Sequence, residues 1–472
     1  MTLRLSPPVT PEPFCGLESA GGRRELETLR EVWRAEKRST ILCICLAVVS
    51  ILFAVGDCHG DTIGAIKPAP PTPGMEEYQK GVNALTDRQL AAAEASFQHS
   101  LQLDPQLVSA LLGLAEVNMM KGNVAGAGQY LEKAASLAPK DANVLTTRGH
   151  YLFFRKSYPE AENAFKTAIT LDPKLERPHY ELGDLYLLGF HKPNGAIGAY
   201  HDALAINPND SRVHYTLANA LVEAGQLDEA QAQLEEASRL DPKDPALLQF
   251  LGDFCLRRGK LDQAQQAFAK ALTIDPHFLP ARMAQGDLFV ARKNLDQALS
   301  KYQAVLQIAP KSTAALVKIA GVHEMKGHWN EAEQAYRQAL DADPKLALAA
   351  NNLAWLLNER EKKPAEALKW ATKAVESAPK DYNCQDTFGW VLRANGNRSR
   401  ALVALKQANA LAPANPQILY HLGILYQEGK QSRAAVQSFS KALELSKSFE
   451  GARDAQSRLD ALRAEPSSPP TH

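Results

Sequence analysis

The stretch at residues 245–276, PALLQFLGDFCLRRGKLDQAQQAFAKALTIDP, decides the fold, because it recurs with different surface residues through most of the chain. Within it, Leu248, Leu251 and Cys255 recur at helical spacing until Gly259 interrupts the pattern. A second apolar stripe follows and closes at the final proline. Two amphipathic segments joined at a glycine predict a helical hairpin.

The repeat length follows from the proline that closes each unit. These prolines are Pro105, Pro139, Pro173, Pro208, Pro242, Pro276, Pro310, Pro344, Pro379 and Pro413. They are evenly spaced, except that the steps from Pro173 to Pro208 and from Pro344 to Pro379 are longer by a single residue, and one further step reaches Lys447, which closes an eleventh unit. The twentieth position is alanine in all eleven units: Ala93, Ala127, Ala161, Ala196, Ala230, Ala264, Ala298, Ala332, Ala367, Ala401 and Ala435. Such a period predicts one solenoid of stacked units.

These residues resemble the tetratricopeptide repeat, a helix-turn-helix unit with a small residue at position 8, alanine at 20, an aromatic residue at 24 and proline at 32. Position 8 is Gly or Ala throughout, as at Gly252 and Gly286, and most units carry an aromatic residue at position 24, as at Phe268. The ninth unit departs, with Ala371 at position 24, and we expect a local repacking there. The resemblance implies an all-α fold, a right-handed α-solenoid of eleven hairpins with a C-terminal capping helix.

The extra residue of the two longer units falls in the turn between the two helices. The turns read GFHKPN at residues 189–194 and EREKKP at residues 359–364. Pro193 and Pro364 stand three residues before the invariant alanine, a favourable place to begin a helix. We therefore expect both extra residues to be accommodated in a loop.

Composition excludes several classes of function. Lysine plus arginine and aspartate plus glutamate each number 53, so the formal net charge is zero. A chain with no overall positive field is not expected to attract nucleic acid or an anionic membrane surface. The six cysteines are too few and too scattered for a disulfide framework and show no spacing typical of zinc sites. We therefore predict no metal, no cofactor and no nucleic-acid partner.

The second informative stretch is residues 41–56, ILCICLAVVSILFAVG, which contains no charged residue. Its length lies near the lower limit of a membrane span and near the upper limit of a signal-peptide core, and both predict insertion into a bilayer. Arg34 and Arg38 precede it and Asp57 follows, so the positive-inside tendency places the N-terminus in the cytoplasm and the repeats in the periplasm. Residues 39–56 are thus predicted to be a signal anchor or transmembrane helix.

Processing of this segment stays open. Ala54 and Gly56 fit a signal-peptidase site, so cleavage after Gly56 competes with retention as an uncleaved anchor. Cys58 suggests a lipoprotein, but lipid attachment requires a small residue before the cysteine, and Asp57 stands there. A buried core helix is disfavoured, because no partner elements surround the segment.

The remaining segments complete the predicted organisation. Residues 1–38 are predicted to be a disordered and charged tail, and residues 57–73 a proline-rich linker that favours polyproline II conformation. Residues 74–447 hold the eleven repeats. Residues 448–465 are predicted to be the capping helix, because the last hairpin of a solenoid otherwise exposes its apolar face. Residues 466–472 are predicted to be a disordered tail.

Catalytic residues would appear as departures from the repeat, and the chain has few. His323 and His328 resemble a zinc-protease helix, but their spacing is HExxxH rather than HExxH. Gly327 also stands where the first helix should end, so the two rings are not expected to share a helix face. We therefore predict no catalytic residue, no metal site and no enzymatic activity.

The candidate binding residues follow from the family resemblance, which implies that first helices line a concave groove with positions 2, 5, 9 and 12 facing inward. Position 9 is occupied by Glu116, His150, Asp184, Asn219, Asp253 and Asp287, and then by Gly321, Trp355, Trp390 and Ile424. Position 5 adds Tyr180, Tyr215 and Tyr420. The character of the row changes midway from polar and acidic to apolar.

Two interpretations of this row stay open. The acidic and amide side chains would accept hydrogen bonds from the backbone of an extended peptide or from the hydroxyls of a glycan, and Trp355 and Trp390 would offer stacking surfaces. Alternatively, the polar side chains are only solvated, and the tryptophans bridge neighbouring first helices as core. The carboxylate clamp of chaperone-binding family members is not supported, since Tyr215 rather than lysine precedes Asn219.

The segment at residues 386–426, with NNLAWLL before it, resembles the C-terminal end of bacterial exported tetratricopeptide proteins associated with exopolysaccharide synthesis and secretion. The resemblance implies a membrane-attached, extracytoplasmic scaffold that assembles partner proteins of an exopolysaccharide or envelope export machine in its groove. The alternative is a glycan-binding or substrate-presenting subunit of a separate glycosyltransferase complex. A third hypothesis, a cytoplasmic-facing adaptor, requires the reversed topology.

Overall fold

The structure is a computed structural model that describes residues 72–464. The predicted N-terminal tail, the membrane-inserting helix at residues 39–56, nearly all of the linker and the C-terminal tail lie outside the described residues. Between residues 72 and 464, no helix combines the length and the apolar character that crossing a membrane requires.

The described residues form eleven helical hairpins and one further helix, and they contain no strand. The hairpins are α1 Pro73–Thr86 with α2 Leu90–Leu103, α3 Val108–Met120 with α4 Val124–Leu137, α5 Ala142–Phe154 with α6 Tyr158–Leu171, α7 Glu176–Asp184 with α8 Pro193–Ile206, α9 Ser211–Glu223 with α10 Leu227–Leu240, α11 Pro245–Arg257 with α12 Leu261–Ile274, α13 Leu279–Ala291 with α14 Leu295–Ile308, α15 Thr313–Met325 with α16 Trp329–Ala342, α17 Ala347–Glu359 with α18 Pro364–Ser377, α19 Tyr382–Ala394 with α20 Arg398–Leu411, and α21 Pro416–Glu428 with α22 Ser432–Leu445. The final helix is α23 Ala452–Ala464. The predicted all-α solenoid of eleven hairpins with a C-terminal capping helix is confirmed.

The described chain divides into two compact bodies, an N-terminal body of residues 72–251 and a C-terminal body of residues 252–464. Within each body, the two helices of a unit pack against each other, as α3 does with α4 and α19 with α20. The second helix then packs against the first helix of the next unit, as α4 does with α5 and α18 with α19. Each hairpin thus covers the apolar face that its neighbour leaves open.

Local chemistry begins the helices and turns the chain between them. The Asp141 side chain caps α5 by accepting hydrogen bonds from the backbone N–H groups of Asn143 and Val144, at 2.7 and 3.3 Å. Between the helices of the second unit, Gly122 adopts a left-handed conformation with φ 75°. Lys156 adopts the same conformation in the third unit, with φ 62°. The turn thus demands this geometry whichever residue occupies it.

The two helices of a hairpin cross where position 8 lacks a side chain. A Cβ added to Gly286 would lie 2.1 Å from Cε1 of Tyr302, and one on Gly252 would lie 2.3 Å from Cε1 of Phe268. Both rings are fully buried. The aromatic residue at position 24 therefore occupies the space that the missing side chain leaves, and the helices approach closely because of it.

The invariant alanines lie at the centre of this packing. All eleven alanines at position 20 have 0% of their surface exposed. In the ninth unit, Ala371 is also fully buried, and the neighbouring Trp370 is half-buried against the core of the C-terminal body. The ninth unit thus has a buried alanine at position 24 and a half-buried tryptophan one position earlier, and the local repacking expected there stays a prediction.

The two extra residues are accommodated differently. In the ninth unit the extra residue lengthens the turn, and Pro364 begins α18 as predicted. In the fourth unit the prediction of a loop is wrong, because residues Leu185–Gly189 continue the first helix as a π-helical turn. The Phe190 backbone N–H donates to the Leu185 carbonyl at 3.0 Å, five residues back. Rings of Tyr158 and Tyr186 lie 5.8 and 6.3 Å from the Phe190 ring and pack around this turn.

Helix α23 covers the end of the last hairpin. Ala455 and Leu459 are buried against Phe439 of α22. The Tyr420 hydroxyl of α21 donates to Oδ2 of Asp454 at 2.8 Å. This helix therefore hides an apolar face that an unfinished array would expose to water.

Substituting two glycines of first helices should have opposite effects on stability. We expect Gly286→Ala to destabilise the protein by about 1–3 kcal/mol, since its Cβ would overlap the buried Tyr302 ring. Gly321→Ala should stabilise it by about 0.5–1 kcal/mol, because a Cβ there meets no atom within 4 Å and alanine favours a helix. Thermal unfolding followed by circular dichroism measures both. Shifts of the same sign would contradict the close-approach explanation.

Candidate functional site

The candidate site is the surface formed by residues at position 9 of the first helices, which we call the inner row. Its members are Glu116, His150, Asp184, Asn219, Asp253, Asp287, Gly321, Trp355, Trp390 and Ile424. Several contact side chains on the first helix of a neighbouring unit, so the first helices share one surface within each body.

In the N-terminal body, four charged side chains form an inner ion cluster, Glu116, His150, Arg177 and Glu181. Nδ1 of His150 lies 3.2 Å from Oε2 of Glu116 and 3.9 Å from Oε1 of Glu181. The Arg177 guanidinium donates a hydrogen bond to Glu116, and its Nε lies 3.3 Å from Oε1 of Glu181. Arg177 belongs to the fourth unit and Glu116 to the second, so this pair bridges two units that are not consecutive.

The cluster controls the protonation of its own members. Burial alone raises the pKa of Glu116, but the Arg177 and His150 cations outweigh it and hold the pKa at about 2. Burial alone lowers the pKa of His150, but the carboxylates of Glu181 and Glu116 outweigh it and raise the pKa to about 9. His150 is therefore a cation at neutral pH, and Glu116 is an anion although only 1% of its surface is exposed.

Asp184 is also engaged within the protein. The Tyr200 hydroxyl donates to its Oδ1 at 2.5 Å, and the Tyr180 ring lies 6.0 Å from the Tyr200 ring. Burial raises the pKa of Asp184 to about 7, although the hydrogen bond from Tyr200 opposes that shift. Farther along, Asn219 is half-buried, and Tyr215 packs its ring 4.9 Å from that of Phe250.

In the C-terminal body, Asp253 and Asp287 are half-buried. Asp287 accepts a hydrogen bond from the Tyr302 hydroxyl at 2.5 Å. The ammonium group of Lys318, in the next unit, lies 2.8 and 3.0 Å from its two carboxylate oxygens. The next residue of the inner row is Gly321, which places no side chain on the surface.

The two tryptophans of the row have their rings covered in different ways. The Arg360 guanidinium lies 5.2 Å from the centre of the Trp355 ring and 4.8 Å from that of Trp329, a cation–π arrangement. The His421 ring stacks on Trp390 at 4.1 Å, and the Arg393 guanidinium lies 4.4 Å from the Trp390 ring centre. The Trp390 ring is therefore in contact with two side chains of the protein itself.

Further contacts tie Trp390 and Tyr420 to neighbouring units. The Trp390 indole N–H donates to Oε1 of Glu359 at 2.8 Å. Nδ1 of the buried His421 lies 2.7 Å from Oδ1 of Asp386. Tyr420 packs against the Phe439 ring, and its hydroxyl donates a hydrogen bond to Asp454 of the capping helix. Of the two interpretations of the tryptophans, bridging between neighbouring first helices describes Trp390.

The structure thus brings some predicted residues together and separates others. Glu116 contacts His150 directly, and Tyr180 and Asp184 both adjoin Tyr200, whereas Trp355 and Trp390 have different ring partners. Among residues 72–464, no group of three or more His, Cys, Asp and Glu side chains is arranged to hold a metal ion.

Sequence reasoning missed two charged partners of inner-row residues, each of which stands at position 6 of the following unit. Glu181 stands there relative to His150, and Lys318 stands there relative to Asp287, and both pairs are in contact. An opposite charge at position 6 of the unit after a charged position-9 residue was therefore a usable signal. Arg177 at position 2 gave no such signal, because its contact with Glu116 skips a unit.

The fold and this surface define the class of protein: an α-solenoid whose stacked hairpins serve as a protein-interaction scaffold. A family model described as tetratricopeptide repeat matches residues 84–150, 187–254 and 289–356, and two others of the same description match residues 245–278 and 387–448. The chain belongs to the tetratricopeptide repeat family.

Parts of the chain are similar to individual proteins named for cellulose synthesis and for pilus assembly. The chain is 28% identical to cellulose synthase 1 operon protein C of Komagataeibacter xylinus over 187 residues, which are 36% of this chain but 13% of that protein. It is 28% identical to type IV pilus assembly protein PilF of Pseudomonas aeruginosa over 182 residues, 37% of this chain and 72% of PilF. The crystal structure of the yeast Tom70 aligns with a TM-score of 0.47 and 16% identity over 83% of this chain and 96% of that chain.

The inner ion cluster predicts a pH dependence. Because the folded pKa of His150, about 9, lies above its ordinary value near 6.5, its stabilising contribution is full below pH 6.5 and is lost as pH rises through 9. We expect His150→Gln to lower the free energy of unfolding by about 3 kcal/mol near pH 6 and by much less above pH 9. Urea unfolding of the wild type and of the variant from pH 6 to pH 9.5 measures this difference in the free energy of unfolding. Asp184 titrates in both proteins, so its contribution cancels from the difference.

His99→Gln is the matched control. Nδ1 of His99 lies 3.3 Å from Glu77, but about half of the His99 side chain is exposed, so its removal should cost a few tenths of a kcal/mol at most. A loss from His150→Gln that stayed constant from pH 6 to pH 9.5 would show that charge on His150 does not stabilise the fold.

Proposed function

We propose that this protein is a membrane-attached, extracytoplasmic scaffold that holds partner proteins of an envelope or exopolysaccharide export machine against its inner row. The observation that carries the proposal is the surface that the first helices share within each body of the hairpin array. Interaction scaffolds of this kind bind through an extended face rather than a pocket. The row's polar and aromatic residues supply the contacts, and Asn219, Asp253 and Trp355 are among its half-buried members.

The setting of the proposal rests on two further observations. Relatives of this chain are named for a cellulose synthase operon and for type IV pilus assembly, both of which concern the cell envelope. The apolar stretch at residues 41–56, with basic residues before it, supplies the attachment and the extracytoplasmic orientation.

A partner protein explains the surface better than a glycan does. Glycan stacking requires an open aromatic face, yet His421 and Arg393 already lie against the Trp390 ring, and the Arg360 guanidinium lies over the Trp355 ring. The acidic members Glu116 and Asp184 already have hydrogen-bonding partners within the protein, His150 and Tyr200. A glycan-binding subunit is therefore the less favoured function.

Recovery of partners from cells tests the scaffold. We expect cross-linking and affinity purification of the full chain to recover envelope proteins, and Trp355→Ala to reduce that recovery by about tenfold, the loss typical of a central aromatic contact. Val403→Ala, in α20, removes an apolar side chain that is 65% exposed and should change nothing. Binding of soluble oligosaccharides that Trp355→Ala abolished would instead support the glycan function.

Topology is tested separately by labelling an introduced cysteine. Cys255 and Cys384 are buried, so we choose Val403→Cys, whose side chain is exposed. In bacterial cells with only the outer membrane permeabilised, a membrane-impermeant maleimide should label this variant above the level of the unchanged chain. Labelling that appears only after the inner membrane is opened would reverse the topology.

A further inference from the structure

The hairpin turns of the C-terminal body lie along one surface, which we call the turn edge. It consists of the turn between the two helices of each unit and the first residues of the second helix, namely residues 258–263, 292–297, 326–331, 360–366, 395–400 and 429–434. Side chains join consecutive turns. The Arg292 guanidinium lies 2.6 Å from Oδ1 of Asp262 in the preceding unit, and the Asn395 amide donates to the Pro364 carbonyl of the preceding unit at 2.8 Å.

The turn edge is basic, although the whole chain carries no net charge. It holds twelve lysine or arginine residues and five aspartate or glutamate residues. The opposite edge of the same body holds four and three, and it consists of the turns between units at residues 275–278, 309–312, 343–346, 378–381, 412–415 and 446–449. Positive charge is therefore concentrated on one edge, where it can attract an anionic partner that the chain as a whole does not attract.

The backbone conformation of the turns makes the choice of lysine there informative. The residue five positions before the invariant alanine has a positive φ in all eleven units. Five units place glycine there, and the other six place only basic residues: Arg88, Lys156, His191, Lys293, Lys362 and Lys430. This conformation disfavours residues with a Cβ, and among those residues Asn and Asp tolerate it best, yet neither occurs. A requirement for positive charge at the turn explains the choice.

The lysines with positive φ on the turn edge are available to a partner. Lys293, Lys362 and Lys430 belong to alternate units and have φ between 53° and 59°. All three are exposed, and within residues 72–464 they form no ion pair and no side-chain hydrogen bond. Three of the five acidic residues of the edge are already paired with its other cations: Asp262, Asp296 and Glu361.

The last turn of the edge also contains a shallow hollow lined by two cations. Lys430 and Arg433 line this hollow, whose volume is about 460 Å³, together with Gln431, Ser432 and Gln437. Ammonium, guanidinium, hydroxyl and amide groups can all donate hydrogen bonds to a phosphate oxygen. The hollow therefore suits a phosphate group.

We propose that the turn edge of the C-terminal body docks on the surface of an anionic lipid bilayer, with Lys293, Lys362 and Lys430 at the level of the phosphate headgroups. Lipids diffuse and can gather around lysines on alternate turns, whereas a protein partner must offer acidic groups at fixed matching places. Exposed lysines near such a surface bind through charge and need no enclosing groove. The inference rests on the proposed membrane attachment and adds the face that the scaffold turns towards the lipid.

The test uses the full chain reconstituted in phosphatidylcholine nanodiscs. The predicted membrane-inserting segment is then occupied, and the rest of the chain meets the added vesicles. Co-flotation measures binding to vesicles of phosphatidylcholine alone and to vesicles in which one-third of the lipid is phosphatidylglycerol. We expect binding to the anionic vesicles only, and we expect it to weaken as salt is raised, because salt screens exposed charges.

Matched variants test the lysines themselves. The first variant replaces the three lysines of the turn edge: Lys293→Gln, Lys362→Gln and Lys430→Gln. It should bind anionic vesicles about a hundredfold more weakly, because each lysine near an anionic surface contributes about fivefold. The control replaces three exposed lysines of the opposite edge and should bind as the wild type does: Lys311→Gln, Lys345→Gln and Lys380→Gln.

A glycine variant separates charge from folding. Glycine at the same three positions of the turn edge should weaken vesicle binding as strongly as glutamine does. It should also raise the unfolding temperature, because glycine adopts a positive φ without steric cost. A loss of binding in this variant therefore cannot be attributed to unfolding.

Several outcomes would overturn the docking edge. They are equal binding to neutral and anionic vesicles, equal losses from the two glutamine variants, or binding of polyglutamate in preference to anionic vesicles, which would assign the edge to an acidic protein. A chain that enters the nanodiscs but does not bind anionic vesicles contradicts the docking edge alone. A chain that does not enter the nanodiscs contradicts the membrane attachment in the proposed function.

Discussion

The structure depends on the close approach of two helices within each hairpin. At position 8 the backbone of the first helix lies so near the second that a single added carbon on Gly286 would overlap Tyr302. The ring at position 24 fills the adjacent space, and the alanine at position 20 is sealed completely. A hairpin built this way is thin and leaves apolar surface on both sides. It is stable only when the next unit or the capping helix covers that surface.

Stacking places the first helices side by side, and their polar residues then find partners in other units. His150 with Glu181 and Asp287 with Lys318 pair across consecutive units, and Arg177 reaches back across two. The charged side chains of the inner row, which in the sequence resemble a ligand-binding surface, in large part form ion pairs and hydrogen bonds within the protein. A buried charge is tolerated when an opposite charge and hydrogen bonds accompany it. Removing one partner leaves the other charge buried without compensation, which destabilises the fold.

These internal contacts change which residues are expected to meet a partner. Glu116 and Asp184 each accept a hydrogen bond from within the protein, from Arg177 and Tyr200. A partner that bonded either carboxylate would have to replace that hydrogen bond. Gly321, by contrast, places no side chain on the surface, and a Cβ there would meet no atom within 4 Å. The row is therefore uneven, because its charged members are bonded internally while room lies beside Gly321.

The sequence by itself determined the hairpins, their number, their register and the burial of the alanines. Those features depend on contacts within one repeat or between adjacent repeats, and such contacts leave a periodic trace in the chain. Only the tertiary structure decided that Arg177 reaches Glu116, that His421 and Arg393 lie against Trp390 and that the fourth unit absorbs its extra residue in a π-helical turn. These features depend on distances between side chains of different units and on how a turn packs, and no single repeat encodes them.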